Sequence, residues 1–210
     1  GAELYEIYDN GSYTSTQHLS ANGSASFGAS YEPSLITTSG KFEDALSFDG
    51  VDDYVNVGNH TSLNPNDITI SVWLYLSLDL NCDGGNNWRS ILHKGNIAGA
   101  TSGYDLVLEQ ARSLTWDIGN GTNTQRYNGG SIPIGSWTFV TVTYDSSTGT
   151  SKIYINGMEA SGTYWTDLSA APIGPNTNDL YINNPSVVCP IGNGNFPGSI
   201  DEVAIFNRSL

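Results

Sequence analysis

Positive charge is what this sequence lacks most: seven Lys and Arg stand against 21 Asp and Glu in 210 residues, a formal net charge of −14. A surface of that sign repels phosphate backbones and anionic headgroups, so nucleic acid and membrane surfaces are poor partners. The bland consequence of the same charge is solubility. Charged residues of either sign make up only 13% of the chain, about half the usual share. Long apolar runs are missing too. The best of them, VWLYLSLDL, is interrupted by Asp79 and falls far short of the ~20 residues that cross a bilayer, so this segment is not expected to insert into a membrane. There is no signal-peptide pattern, and the chain begins at Gly1 without a starting Met, which is expected of a piece excised from a longer protein with neighbouring domains.

Catalytic signatures are equally scarce. His18, His60 and His93 stand alone, without the i, i+2 or i+4 partner of a zinc site. No G-x-S-x-G elbow, P-loop or dinucleotide fingerprint occurs. Glu43-Asp44 and Asp201-Glu202 are adjacent residues, which on a strand point to opposite faces and so cannot flank one glycosidic bond. No enzymatic activity is expected. Cysteine is limited to Cys82 in NCDGGNN and Cys189 in VVCPIGNGN. Two loop cysteines in an acidic, Gly/Asn-rich chain suggest a disulfide and an extracellular setting. Five N-x-S/T sequons say little in a chain so rich in Asn, Ser and Thr.

What is present reads as β structure. No helical period persists for three turns, and no repeat of 20 to 50 residues is visible. ITISVWLYL alternates Ile68, Ile70, Val72, Leu74 and Leu76 against Thr69, Ser71, Trp73 and Tyr75, giving one aliphatic and one increasingly aromatic face. SILHK, YDLVLE, SLTWDI, WTFVTVTYD, SKIYI and DLYIN read as further strands. Asp145 to Gly149 makes one hairpin, and Asn156-Gly157 is the strongest short hairpin signal in the chain. The spacing suits one antiparallel two-sheet sandwich over residues 1–210, with 1–40 the least legible part.

Two acidic corners organise that reading. KFEDALSFDGVDDYVNVG turns at Asp49-Gly50 with Asp52 and Asp53 behind it, and GSIDEVAIF places Asp201 on the alternation face of Val203 and Ile205. A carboxylate facing a core is costly unless something positive meets it, and with so few basic residues a cation is the economical partner. The alternative is a pair of turn-capping carboxylates that accept backbone N–H bonds.

Four segments, GKFEDALSFDGVDDYVNV, DITISVWLYL, GSWTFVTVTYDSSTGTSKIYINGMEASGT and GSIDEVAIFNRSL, together resemble the LamG-like (laminin G-like) jelly-roll domains of the concanavalin A-like lectin/glucanase superfamily. They span roughly the C-terminal four fifths of the chain. The resemblance implies two curved antiparallel sheets in a jelly roll, a secreted or cell-surface protein, and a module that binds glycans or proteins in adhesion. It also implies a structural calcium ion at the rim, held by Asp49, the Gly50 carbonyl and Asp201, with Asp52 in reserve. Hard oxygen donors of that mixture suit calcium.

A sugar-binding surface needs an aromatic platform with polar groups around it. Trp73 and Trp137 lie inside long strands and are assigned to packing. Trp88, Trp116 and Trp165 lie in or near loops and are the candidate platforms, with Asn87, Arg89, Arg126, Tyr127 and Tyr164 as polar neighbours. The expected function is a non-catalytic, calcium-stabilised, carbohydrate-binding module whose partner is a glycan or a cell-surface protein. A structural or protein-interaction unit of a surface assembly is the alternative, and a divergent glycoside-cleaving enzyme a distant third.

Overall fold

The computed structural model describes residues 40–42, 44–51, 53–78, 88–96, 102–166, 169–183 and 195–210, and the backbone of four short strands before residue 40. Cys82, Cys189, Asp52 and Asn87, and with them the disulfide expectation, lie outside the described residues. In chain order the strands are β1 (Glu6–Ile7), β2 (Gln17–Ser20), β3 (Gly23–Ala25), β4 (Ser34–Ile36), β5 (Ala45–Asp49), β6 (Val55–Gly58) and β7 (Ile68–Leu76). Then follow β8 (Arg89–Asn96), β9 (Ser102–Leu108), β10 (Ser113–Asn120), β11 (Thr124–Ser131) and β12 (Trp137–Asp145). The last are β13 (Thr150–Ile155), β14 (Met158–Glu159), β15 (Gly162–Thr166), β16 (Leu180–Ile182) and β17 (Pro197–Phe206). Two single-turn 3-10 helices are the only helical elements among the described residues.

Fourteen of these strands form two antiparallel seven-stranded sheets. The first runs β15-β11-β10-β9-β8-β16-β6, the second β14-β13-β12-β7-β17-β5-β4, and β1-β2-β3 make a small third sheet. The expected sandwich is present. Alternation decides which side chains fill it: Ile68, Ile70, Val72, Leu74 and Leu76 of β7 are all buried, and they share one core with Leu106, Trp116, Ile118, Val140, Val142 and Ile205. The hairpin signals hold as well. Asn156 and Gly157 take φ of 52° and 81° between β13 and β14, the left-handed pair that a two-residue hairpin requires.

One feature escapes simple alternation. The ladder between β17 and β7 shifts register between Asp201 and Ala204, with Glu202 at φ 50°. Such a bulge inserts a residue and reverses the facing of everything before it. Ile205 pairs with Ile70 and faces the core, whereas Asp201 pairs with Trp73 and lies on the outer face. The expectation that Asp201 shares a face with Val203 and Ile205 is therefore corrected. It is buried all the same, because the segment before β5 folds over it and the Lys41 and Phe42 N–H groups donate to its Oδ2 at 2.8 and 3.1 Å.

Candidate functional site

The outer face of the first sheet carries the densest chemistry among the described residues. Cross-strand register aligns Thr166, Arg126, Asp117, Asp105, His93, Tyr181 and Asn56 in one row across all seven strands, every one of them polar. Beside it runs Thr163, Asn128, Thr115, Val107 and Ser90. These side chains point away from the core because each sits one residue from a core position: Asp117 between Trp116 and Ile118, and Asp105 between Tyr104 and Leu106.

Arg126 is the hub. Its Nε reaches Asp117 Oδ1 at 3.0 Å and its Nη2 reaches Oδ2 at 2.7 Å, a two-point ion pair to a carboxylate that is 0% exposed. The guanidinium also stacks on the Trp88 indole, 4.0 Å from the ring centroid. Trp88 immediately precedes β8 whereas Arg126 is on β11, so this contact reaches over the outer faces of β9 and β10. Trp88 thus lies across the polar row.

Burial dominates the electrostatics. Asp117 is pushed up to about 6, chiefly by desolvation, with Arg126 pulling it down and the Asp105 and Glu109 charges pushing it further up. His93 is raised above its ordinary value: burial acts to lower it, but the neighbouring Asp105 carboxylate, 3.5 Å from Nδ1, outweighs that. Its Nε2–H donates to the Gly95 carbonyl at 2.8 Å, so a neutral ring would turn a bare Nδ1 lone pair toward the carboxylate. Protonation turns that repulsion into attraction. Asn128 donates to Thr115 Oγ1 at 2.8 Å and, at 3.4 Å, to Glu109 and Ser113. Four side-chain atoms of this face are buried without a hydrogen-bond partner: Ser90 Oγ, His93 Nδ1, Asp105 Oδ1 and Glu109 Oε1. Orphaned polar atoms gathered in one place need a ligand or water to satisfy them.

The expected site residues divide sharply. Trp88 and Arg126 come together. Trp116 is corrected: it is 0% exposed in the core, where its indole N–H donates to the Thr143 carbonyl, because alternation on β10 puts it beside Leu114 and Ile118. Tyr127 is likewise a core residue, its ring 4.8 Å from that of Tyr164. Arg89 is 5% exposed and pairs with the core residue Leu108, so it is not presented to solvent. Tyr164 covers the sheet edge, its hydroxyl donating to the Ser151 carbonyl and accepting from the Ser151 N–H. Trp165 is 62% exposed on edge strand β15.

Of the expected calcium ligands, Asp49 and Asp201 do not meet. Asp49 pairs with Pro197, four residues along β17 from Asp201, which is about 13 Å at strand rise. Asp49 is exposed and its Oδ1 caps the Val51 N–H at 2.7 Å, while its own N–H donates to Asp53 Oδ2 at 2.8 Å. Asp201 is occupied by the Lys41 and Phe42 N–H groups. No three His, Cys, Asp or Glu side chains cluster as a metal site among the described residues.

Asp105, Asp117, His93, Glu109, Asn128 and Ser90 were missed as site residues. The signal was available: YDLVLE and SLTWDI both place carboxylates on the non-core alternation face. Which strands lie side by side was not visible.

Comparison with known proteins agrees with this architecture. A laminin G-type family model, described as the concanavalin A-like lectin/glucanases superfamily, matches residues 49–210. Among solved structures, Trypanosoma rangeli sialidase in complex with sialic acid superposes with a TM-score of 0.61 at 15% identity, over 99% of this chain and 30% of that one. The botulinum neurotoxin serotype D binding domain gives 0.60 at 17% identity, over 99% and 48%. A putative carbohydrate binding protein from Bacteroides ovatus gives 0.55 at 19% identity, over 75% and 42%. The chain spans less than half the length of each of these, and identities this low carry the fold alone. No curated protein matches by sequence. Two antiparallel seven-stranded sheets around one core, with a family match over 49–210, lead to one assignment: the chain belongs to the concanavalin A-like lectin/glucanases superfamily.

Proposed function

We propose that this chain is a non-catalytic carbohydrate-binding module of an extracellular or cell-surface protein, and that it grips sugar on the outer face of the first sheet. The observation that carries this reading is Trp88 stacked on Arg126 above a floor of buried carboxylate and hydroxyl atoms that lack partners. A pyranose offers an apolar face to an indole and a rim of hydroxyls to carboxylates and amides. Asp105, Glu109 and Asn128 stand where such a rim would fall, with Thr163 and Trp165 at the open edge. The fold likeness to a putative carbohydrate binding protein points the same way.

Binding is favoured over cleavage by the state of the carboxylates. Asp105 and Asp117 are directly opposed on neighbouring strands, a placement that brings Cβ atoms to about 5 Å and makes them the pair to consider for glycoside hydrolysis. Yet both Asp117 oxygens are taken by Arg126, and the residue is fully buried. It can act neither as nucleophile nor as acid without first breaking a two-point ion pair. The test is an immobilised glycan array with wild type and Trp88→Ala: saccharide binding lost in the variant, with unchanged melting and unchanged saccharide length after incubation, supports the module. Release of shortened saccharide would overturn the non-catalytic reading.

Calcium enters this reading at the Asp49 corner alone. Asn195 donates to the Val51 carbonyl at 3.1 Å while its Oδ1 is buried without a partner, and Asp49, Asp53 and the Gly50 carbonyl belong to the same turn. An orphaned amide oxygen on a residue tied to this acidic turn suits a hard cation. The ion would fix that turn, with no part in sugar contact.

A further inference from the structure

Three of the four atoms left open on the outer face of the first sheet can accept hydrogen bonds. Asp105 Oδ1 and Glu109 Oε1 only accept hydrogen bonds, and Ser90 Oγ can also accept; Asp105 is 6% and Ser90 0% exposed. The donors beside them are largely engaged, Nη1 of Arg126 excepted. Arg126 gives its Nε and Nη2 to Asp117 and its flat face to Trp88. Asn128 Nδ2 is directed at Thr115, Glu109 and Ser113, and His93 gives Nε2–H to Gly95 and turns Nδ1 toward Asp105. Positive charge is also matched: Arg126 is paired with Asp117 and His93 faces Asp105, while Glu109 adds a third carboxylate and the chain as a whole is at −14.

We infer that this face selects sugars that present donors and carry no negative charge, neutral or amino-bearing units, and rejects uronic, sialylated and sulfated ones. The inference rests on reading the face as a sugar-binding surface and adds its ligand class. The physical reason is twofold. A hydroxyl or ammonium satisfies the orphaned acceptors that otherwise stay desolvated without a bond. A ligand carboxylate or sulfate brings another acceptor and another negative charge to them, and like charges in a partly desolvated site repel strongly. The likeness to a sialidase in complex with sialic acid therefore extends to the fold and not to the ligand.

The test is an oligosaccharide array in which each backbone is printed in neutral, amino and uronic or sulfated form, read with wild type and with the near-isosteric variant Asp105→Asn. Neutral and amino forms should bind, the anionic form of the same backbone at least about tenfold more weakly, and Asp105→Asn should narrow that gap. Should Asp105→Asn fold poorly, Glu109→Gln, which lies just past the end of β9, makes the same comparison. Equal or tighter binding of anionic forms overturns the ligand class and leaves the sugar-binding reading intact. Binding to no sugar of any charge overturns both.

Discussion

Read outward from the core, the first sheet presents Arg126, Asp117, Asp105 and His93 in a row, and the second presents Trp73, Phe139, Tyr75 and Trp137. On the second sheet the rings satisfy one another: Trp73 lies 5.1 Å from Phe139 and 6.0 Å from Phe42, Lys41 sits 4.4 Å over Trp73, and Tyr75 lies 5.6 Å from Trp137. Aromatic neighbours across strands pack without leaving a polar debt. On the first sheet the row is only partly closed, with one strong ion pair, one long one and three further buried atoms unpartnered. A solvent-side face need not be a binding face: the aromatic one is complete in itself, whereas the polar one holds unused bonding capacity.

The largest expected effect comes from breaking the polar row at its hub. Arg126→Met leaves Asp117 buried without its partner, and such uncompensated charges cost ~3–5 kcal/mol. Chemical denaturation at pH 7.5 should show that loss, with part of it recovered at pH 5 as Asp117 takes up a proton. An equal loss at both pH values would mean the cost is packing rather than charge. Phe139→Ala on the aromatic face removes ring contact only, so its loss should not change with pH.

Next in size is the wild-type pH profile. Asp117 and His93 are both raised. A raised group contributes stability that is fully present below its unfolded value and is lost as pH rises through its folded value. The Asp117 window lies between its ordinary range near 4 and about 6, and the His93 window lies above about 6.5. Stability should therefore rise as pH falls from 8 toward 5, by about 1–2 kcal/mol, and Asp117→Asn should flatten the acid half of that rise. A profile in the variant that overlays the wild type removes Asp117 from the account.

A smaller effect separates the faces by function. Trp88→Ala should abolish saccharide retention on an affinity gel, while Trp73→Ala leaves it intact; the reverse result would move the binding surface to the second sheet. Smallest is the corner ion. Chelation should lower the melting temperature by a few degrees, about 1–2 kcal/mol of linkage at modest calcium excess, and Asp53→Asn should remove that response. An unchanged melt in excess chelator ends the stabilising role.

Strands were legible wherever alternation was regular. β7, β12 and the Asn156-Gly157 hairpin follow directly from period-two patterning and turn chemistry, since both are local. Trp88 and Arg126 were found as loop-like or exposed groups, but nothing in one dimension could announce that they stack on each other. Trp116 was misplaced because it was taken to lie in or near a loop, although the alternation along SLTWDI that turns Asp117 outward turns Trp116 inward. Asp201 was misplaced for a subtler reason. A single bulge at Glu202 reverses facing, and a bulge is a property of the ladder with β7 rather than of the strand alone.

The amino-acid sequence by itself determined the class of structure and the aliphatic lining of the core, because period-two spacing acts over a few residues. The tertiary structure decided which carboxylates share a neighbourhood. Asp49 and Asp201 were kept apart by register along β17, while Asp105, Asp117, Arg126 and His93 were aligned by pairing among four strands. Electrostatic coupling falls with distance and with exposure, and both are set only when strands distant in the chain lie side by side.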